Sequence, residues 1–312
     1  MQSLVRAIVA IAFISLPTVA RAAPCERVCL NVILDDFFEA LAKHDTSRLA
    51  LAPDVRVTEN GAPAKVGEGL WQRAGEATYR LDAVDPLQES AVSNAVVPDG
   101  GRPVIFFVRL KVVDEKITEI ETLVIRPGEG QRSTPEALID PNPYHLYVPP
   151  SLQASREEMS NAAVAYLDSL ATAGTDAFKP APITDTARRV ENGVPSGGAQ
   201  PMSINDQLRR GFGADKLMVS DRRYPVLDEG RGILVMIGVM NLDTPARPPQ
   251  TPGAAPTGPA GHAVQHIGQW KQILVEFFKV ADGMIQEIQA TVYDLDNPAI
   301  QSPGWPAVPG AR

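Results

Sequence analysis

The chain has 312 residues, of which 44% are hydrophobic and 21% are charged, and its net charge is −8. This composition is too apolar for a disordered protein, and the length suits two domains of ordinary size. The acidic balance, without a long basic run, argues against a nucleic-acid partner.

The N-terminal segment has the features of a cleaved export signal. Arg6 supplies a positive charge, residues 7–19 are almost wholly apolar, and Ala20-Arg21-Ala22 matches an A-x-A cleavage motif. The apolar run contains Pro17 and is shorter than the roughly 20 residues that a membrane-spanning helix needs. We therefore predict a signal peptide over residues 1–22, a periplasmic or secreted mature protein, and no membrane anchor after cleavage.

The only two cysteines, Cys25 and Cys29, lie at the start of this mature chain. Their spacing fits neither a C-x-x-C redox pair nor a haem attachment motif, and two ligands are too few for structural zinc. In an oxidising compartment a disulfide across the first helical turn is favoured over the alternative of two free thiols.

The first half of the mature chain begins with predicted helices. Apolar residues between 30 and 41 follow the spacing of one buried helical stripe, and a second short helix begins at Thr46. Pro53 should break the chain before a strand that ends at Glu59. The following Asn60-Gly61 pair predicts a tight turn.

A short helix that carries Trp71 and a series of strands complete this half. The predicted strands occupy residues 79–84, 91–97, 104–113 and 117–125. The last two should form a long hairpin, because only three residues separate them. Alternation places Glu119 and Glu121 opposite the apolar row of the last strand, where we expect them to be exposed.

The second half repeats this order of elements. Its first helix begins at Ser155 with a capping box. Glu191-Asn192-Gly193 follows Glu59-Asn60-Gly61 by 132 residues, and residues 285–289 match residues 117–121 with an offset of 168. A segment rich in Pro, Gly and Ala over residues 244–261 accounts for the larger second offset and is predicted to be flexible. Several matches in the same order indicate a duplication.

The mature chain is accordingly divided into two modules. We predict a first module over 23–127, a Pro-rich linker over 128–150, a second module over 151–305 and a tail over 306–312. The modules are expected to pack sheet to sheet as an internal pseudo-dimer, so that the protein is a monomer.

Several short motifs stand out at 51–55, 58–61, 67–71, 189–193, 222–226 and 302–305. These motifs and the order of elements resemble an exported tandem group in the SnoaL-like branch of the nuclear-transport-factor-2-like superfamily. The resemblance covers nearly the whole mature chain. It implies an α+β fold of two tandem cone-shaped modules, each a curved, mostly antiparallel sheet wrapped around helices. It implies no particular reaction, because the superfamily includes isomerases, cyclases, dehydratases and proteins that only bind.

An acidic residue inside such an apolar cone would be a credible general base. Alternation places Glu59 on the same strand face as Val57, and Glu191 on the same face as Arg189. We therefore predict Glu191 and Glu59 as catalytic residues. The alternative for both is a solvated strand end beside a turn, and Arg189 and Glu191 could form either a structural ion pair or an anion site.

Other polar and aromatic residues are predicted to bind a ligand, with a structural alternative for each. The two asparagines could donate hydrogen bonds or only form turns. One arginine of the 222–223 pair should face inward, unless it pairs with a nearby acid. Arg126 and Asp294 occupy equivalent strand ends, and Trp71 belongs either to the core or to the mouth of the cone. The predicted ligand-binding residues are Asn192, Asn60, Arg189, Arg223, Asp294 and Trp71.

The four histidines have no metal-binding spacing, so we predict no metal and no cofactor. Two classes of function remain open. The first is a cofactor-free lyase, dehydratase or isomerase that acts on a small, partly apolar molecule. The second is a non-catalytic ligand-binding protein, or a scaffold with one degenerate module. The second module should hold the more polar pocket, because Arg189 stands where the first module has Val57.

Overall fold

A computed structural model describes residues 25–128, 133–138, 140–196, 202–211, 216–244, 268–295 and 305. The predicted signal peptide, nearly all of the 244–261 insertion and the 306–312 tail lie outside the described residues. In the described ranges no helix is both long enough and apolar enough to cross a membrane.

The first module combines one α-helix with a six-stranded sheet. Two short 3-10 helices follow the α-helix, at Thr46–Arg48 and Gly69–Gln72. The sheet order is β2-β1-β6-β5-β4-β3, with β1 parallel to β6 and the other pairs antiparallel. The elements are α1 (Arg27–Lys43), β1 (Leu51–Glu59), β2 (Ala62–Pro63), β3 (Tyr79–Asp85), β4 (Ser90–Asp99), β5 (Arg102–Val113) and β6 (Lys116–Ile125).

The second module repeats this arrangement after a linker that contains the short helix α2 (Asn142–His145). Its sheet order is β8-β7-β12-β11-β10-β9, again with one parallel pair, β7 with β12. The elements are α3 (Arg156–Ala171), β7 (Ile183–Glu191), β8 (Val194–Pro195), α4 (Ile204–Arg210), β9 (Lys216–Asp228), β10 (Ile233–Thr244), β11 (Gly268–Ala281) and β12 (Met284–Leu295).

The strand register reproduces both sequence offsets. Glu59 lies opposite Thr122 on β6, and Glu191 lies opposite Ala290 on β12. Each glutamate is followed by an Asn-Gly turn in which both residues have positive φ. This conformation matches the right-handed twist of the flanking strands, and asparagine and glycine tolerate it best. The fold is therefore α+β, with two tandem modules of the same topology.

One helix in each module covers the concave face of its own sheet. The apolar stripe of α1 packs on β4, β5 and β6, and the stripe of α3 packs on β9 to β12. A disulfide between Cys25 and Cys29 spans the start of α1. Ser155 and Glu158 form a reciprocal capping box at the start of α3, which satisfies amides that the first turn leaves free.

Strand β1 begins at Leu51, earlier than the sequence predicts, and it contains Pro53. The expectation that this proline breaks the chain before the strand was wrong. Between Leu51 and Arg56 the pairing of β1 with β6 is irregular. A proline is tolerated at such a position because no ladder hydrogen bond depends on its missing N–H group.

The outer faces of the two sheets pack against each other. Their buried side chains form one apolar cluster that draws residues from both modules, including Phe107 of β5 and Phe277 of β11. The rings of these two residues meet edge to face with centroids 6.3 Å apart. The burial of apolar area on both sides therefore holds the modules together.

Reciprocal ion pairs flank this interface. Arg27, the first residue of α1, donates two hydrogen bonds to Asp228 at the end of β9, at 2.7 and 2.9 Å. Arg156, the first residue of α3, donates to Asp85 at the end of β3, at 2.7 Å. The two contacts join equivalent elements of opposite modules, as a pseudo-two-fold relation requires.

A buried ion cluster also crosses the interface. Glu121 accepts hydrogen bonds from Arg223 at 2.6 and 2.9 Å and from Arg109 at 2.8 Å. Burial would raise the pKa of the Glu121 carboxyl, but the two arginines hold it below its usual value. The expectation that Glu121 is exposed was wrong, because the second sheet covers the outer face of the first. Glu119 keeps about a third of its side chain exposed.

We predict that Arg223→Ala lowers the free energy of unfolding by roughly 3 kcal/mol, because it leaves Glu121 buried with fewer partners. Urea unfolding measures the change. The matched control is Arg188→Ala, which removes a largely exposed arginine from its pair with Glu287 and should cost less than about 1 kcal/mol. Equal losses in the two variants would contradict a stabilising role for the buried pair.

Candidate functional site

The concave core of the second module contains four polar side chains in mutual contact, which we call the Glu276 cluster: Tyr166, Arg189, Glu191 and Glu276. Tyr166 lies on the buried stripe of α3, and the alternation of β7 directs Arg189 and Glu191 to the same face. Glu276 lies on β11 opposite Ala290, whose side chain belongs to the same core. The helix and two strands of the sheet therefore meet at this point.

Arg189 is the centre of the cluster. Its Nη2 lies 2.8 Å from Glu191 Oε2 and 3.3 Å from Glu276 Oε1. Its Nε donates to the hydroxyl oxygen of Tyr166 at 3.0 Å, and that hydroxyl donates to Glu276 Oε1 at 3.2 Å. One guanidinium thus orients all three of the other side chains.

Glu276 is fully buried, as Tyr166 is, with 0% of the residue exposed. Burial raises the pKa of its carboxyl to about 6, although Arg189 and Tyr166 act in the opposite direction, and the charge of Glu191 adds to the rise. A carboxyl with this pKa exchanges a proton near neutral pH, as a general acid or base must.

The two oxygens of the Glu276 carboxyl have different surroundings. Oε1 accepts from Tyr166 and Arg189, whereas the buried Oε2 makes no hydrogen bond with a described residue. The Arg189 side chain is 13% exposed, so the cluster is not sealed on all sides. A buried polar atom without a partner is costly, and a ligand atom at Oε2 would remove that cost.

The first module has apolar side chains at three of the four equivalent positions. Val108 lies opposite Thr122, as Glu276 lies opposite Ala290. Val57 precedes Glu59 by two residues, as Arg189 precedes Glu191, and Phe37 holds the helix position of Tyr166. At this place the core of the second module is therefore more polar than that of the first; that it forms the more polar pocket stays a prediction.

Glu59 remains in the first module but has different contacts. Its carboxylate accepts from the backbone N–H of Leu70 at 3.3 Å, at the start of the short helix that follows. Gly69 has a φ of +64°, and a Cβ at that position would lie 2.6 Å from the carboxylate. Burial raises the pKa of Glu59, and the Leu70 N–H partly offsets the rise. Glu59 thus fixes a loop to the end of β1 and lies apart from the Glu276 cluster.

Asn60 and Asn192 hold strands together. The side-chain amide of Asn192 donates to the Val292 carbonyl and accepts from the Val292 N–H, both at 2.9 Å. Asn60 makes the same two contacts with Val124, at 3.5 and 2.8 Å. Both ends of each amide are used in these contacts, which favours the turn alternative; a ligand-binding role for the two asparagines stays a prediction.

Arg223 and Trp71 also have structural partners. Arg223 binds Glu121 in the interface and does not face the cone, whereas Arg222 faces α3 and pairs with Asp168 at 3.0 Å. The sequence prediction chose the wrong arginine because β9 contains register shifts and a positive φ at Asp221. Trp71 is 6% exposed and packs edge to face on Phe37, so it belongs to the first core.

Asp294 and Arg126 occupy equivalent strand ends, as predicted, but neither lies in the Glu276 cluster. Asp294 accepts a hydrogen bond from Gln272 at 2.5 Å, and Arg126 donates to Asp99 at 2.7 Å. Among the residues that the structure describes, no group of three His, Cys, Asp or Glu side chains is arranged to hold a metal ion.

Glu276 and Tyr166 are the cluster residues that the sequence analysis missed. The signal for Glu276 is present: it is the only charged residue between Ile273 and Phe278, in a strand with apolar residues on both faces. The offset of 168 residues aligns it with Val108, so a comparison of the two modules, position by position, would have found it.

The comparisons with known proteins concern mainly the fold. A family model for a domain of unknown function, DUF8021, matches residues 152–292, within the second module. No curated protein sequence matches the chain.

Several solved structures are similar over part of the chain. A protein of unknown function with a cystatin-like fold from Methylobium petroleophilum PM1 is 11% identical, with a TM-score of 0.30, and the match covers 35% of this chain and 84% of that one. A protein provisionally described as a polyketide cyclase, from Silicibacter sp. TM1040, is 15% identical with a TM-score of 0.29, over 51% and 98%. A phenazine biosynthesis-related protein from Pseudomonas aeruginosa is 10% identical with a TM-score of 0.26, over 44% and 82%.

We predict that ionisation of Glu276 destabilises the fold. The pKa of this carboxyl is about 6 in the folded protein and 4.5 in its ordinary state, so the folded protein binds the proton more tightly. The bound proton therefore contributes about 2 kcal/mol to the free energy of unfolding. This contribution is fully present below about pH 4.5 and is lost as the pH rises through 6. Urea unfolding from acidic to neutral pH should show this loss in the unchanged protein and not in Glu276→Gln.

The control for this experiment is Glu39→Gln. Lys43 and Arg48 lower the pKa of the exposed Glu39, so its small contribution has the opposite sign and is lost as the pH falls. A Glu276→Gln profile parallel to that of the unchanged protein would contradict the raised pKa.

Proposed function

We propose that the second module binds a small, largely apolar molecule and moves a proton on it, as a cofactor-free lyase or isomerase does. The proposal rests on one observation: a fully buried carboxyl, that of Glu276, with a pKa of about 6 and an unpartnered oxygen in an apolar core. The first module then serves as a scaffold for the second.

The cluster assigns a role to each side chain. Glu276 Oε2 takes a proton from a carbon next to a carbonyl; the C–H bond breaks, an O–H bond forms, and the electron pair moves to the carbonyl oxygen. The negative charge passes from Glu276 to that oxygen, so the net charge of the site is unchanged, and a hydrogen bond from the guanidinium of Arg189 stabilises it. Return of the proton to another carbon gives an isomer, whereas departure of a group from the β-carbon gives an alkene.

Tyr166 positions the base. Its hydroxyl donates to Oε1, which leaves Oε2 as the oxygen that meets the substrate. Burial raises the pKa of Tyr166, so the hydroxyl keeps its proton and donates it in the hydrogen bond to Glu276. Glu191, which the sequence analysis proposed as the base, is paired with Arg189 and takes a supporting role.

We predict that the protein accelerates proton abstraction from 5-nitrobenzisoxazole, an uncharged probe that releases a coloured phenolate when a base removes its carbon-bound proton. The rate should rise with pH through about 6, because only the ionised Glu276 is a base. Glu276→Gln should lower kcat/KM by about 100-fold or more. Absorbance of the phenolate gives the rate.

The control is Glu287→Gln, which removes a carboxylate that pairs with Arg188 on the other face of the same sheet. Its rate should equal that of the unchanged protein. Equal rates in Glu276→Gln and the unchanged protein would refute Glu276 as the base. Saturable binding of the uncharged ligand 2-naphthol, together with no acceleration of 5-nitrobenzisoxazole cleavage, would favour the alternative, a protein that binds its ligand and does not convert it.

We also propose that the protein is exported. The apolar N-terminal segment with its A-x-A motif supports a signal peptide over residues 1–22, and the Cys25–Cys29 disulfide suits an oxidising compartment. Expression of the full chain with its own N-terminus should yield a protein outside the cytoplasm that begins at Ala23. N-terminal sequencing checks this, and an uncleaved N-terminus would contradict it.

A further inference from the structure

The positive charge of Arg189 is already engaged inside the cluster. Glu191 lies closer to the guanidinium than Glu276 does, at 2.8 Å against 3.3 Å. The Nε of Arg189 is used by Tyr166. Burial alone would lower the pKa of Arg189, but Tyr166 and the two carboxylates raise it well above its usual value, so the arginine remains charged.

The charges of the cluster do not leave a positive surplus. One guanidinium faces two carboxyl groups, so the cluster is neutral when Glu276 holds its proton and carries one negative charge when Glu276 is ionised. Within the four side chains of the cluster no positive charge is left unbalanced, so the entry of a carboxylate or phosphate on the ligand is unfavourable. A carbonyl or hydroxyl group needs only a hydrogen bond.

Glu191 is responsible for this balance. Without it, Arg189 and Glu276 would form a single ion pair, and protonation of Glu276 would leave a positive charge free for an anion. In the first module Val57 is at the position of Arg189, so the residue two before Glu59 on the strand carries no charge. The pair of Arg189 and Glu191 is therefore particular to the second module.

We propose that Glu191 determines specificity: by neutralising Arg189, it makes the site of the second module accept uncharged ligands with a carbonyl or hydroxyl oxygen and exclude carboxylates and phosphates. The inference rests on the proposed function, because it concerns the ligand of the same site. The sequence left two alternatives for Arg189 and Glu191, an ion pair or an anion site, and the proposal corresponds to the ion pair.

Two probes with the same ring system test the selection. Near neutral pH 2-naphthol is uncharged, and 2-naphthoate carries a carboxylate. Calorimetric titration of the full mature chain should give an affinity for 2-naphthol at least about tenfold higher than for 2-naphthoate. In Glu191→Gln the affinity for 2-naphthoate should rise by about tenfold or more, because Arg189 gains an unbalanced charge.

The control is again Glu287→Gln, which removes the same charge from an arginine pair between β7 and β12 on the outer side of the same sheet. It should keep the ratio of the two affinities unchanged. Glu191→Asp, which keeps the charge, should also preserve the preference for 2-naphthol.

The outcomes separate this inference from the proposed function. If 2-naphthoate binds the unchanged protein as tightly as 2-naphthol, selection by charge is refuted even if Glu191→Gln does not fold. The same holds if Glu191→Gln folds and leaves the ratio unchanged. In both cases the proposed function stands if Glu276→Gln still lowers the rate of proton abstraction. If neither probe binds and Glu276→Gln has no effect on that reaction, both proposals fail.

Discussion

The packing of the two sheets against each other is the constraint on which the rest of the structure depends. Each sheet is apolar on both faces, so its helix can cover only one of them. A single module would expose the row that includes Phe107 or Phe277, and such a large apolar surface is not left in contact with water. The second copy covers it, and the ion pairs of Arg27 and Arg156 fix the two copies in a reciprocal orientation.

Because of this packing, the two faces of each sheet differ in the substitutions that they tolerate. A substitution on an outer face must fit the opposite module as well, whereas the concave core depends only on its own helix and sheet. The three changes that distinguish the second core, to Tyr166, Arg189 and Glu276, depend on one another. A lone buried carboxylate or guanidinium is strongly destabilising, but the set satisfies most of its own hydrogen bonds.

Much of the fold could be predicted because its signals are local. Helical periodicity, the two Asn-Gly turns and the repeated strand motifs depend on residues close together in the chain, and the offsets between modules appear unchanged in the strand register. The prediction failed where distant packing decides. Glu121 is buried only because another sheet covers it, and Arg223 faces the interface because bulges in β9 change the alternation. Neither effect has a local signature.

The site shows the same division between local and distant information. Alternation correctly brings Arg189 and Glu191 to one face, but their roles follow from Glu276, which is 85 residues beyond Glu191 in the chain. Arg189 alone would hold the pKa of Glu276 low and make it a weak base, and burial alone would leave it protonated near neutral pH. Burial is the main cause that raises the pKa of Glu276, Arg189 and Tyr166 limit the rise, and the repulsion of Glu191 adds to it. The basicity of the buried carboxyl is therefore a property of three side chains together, and no one of them could reveal it in the sequence.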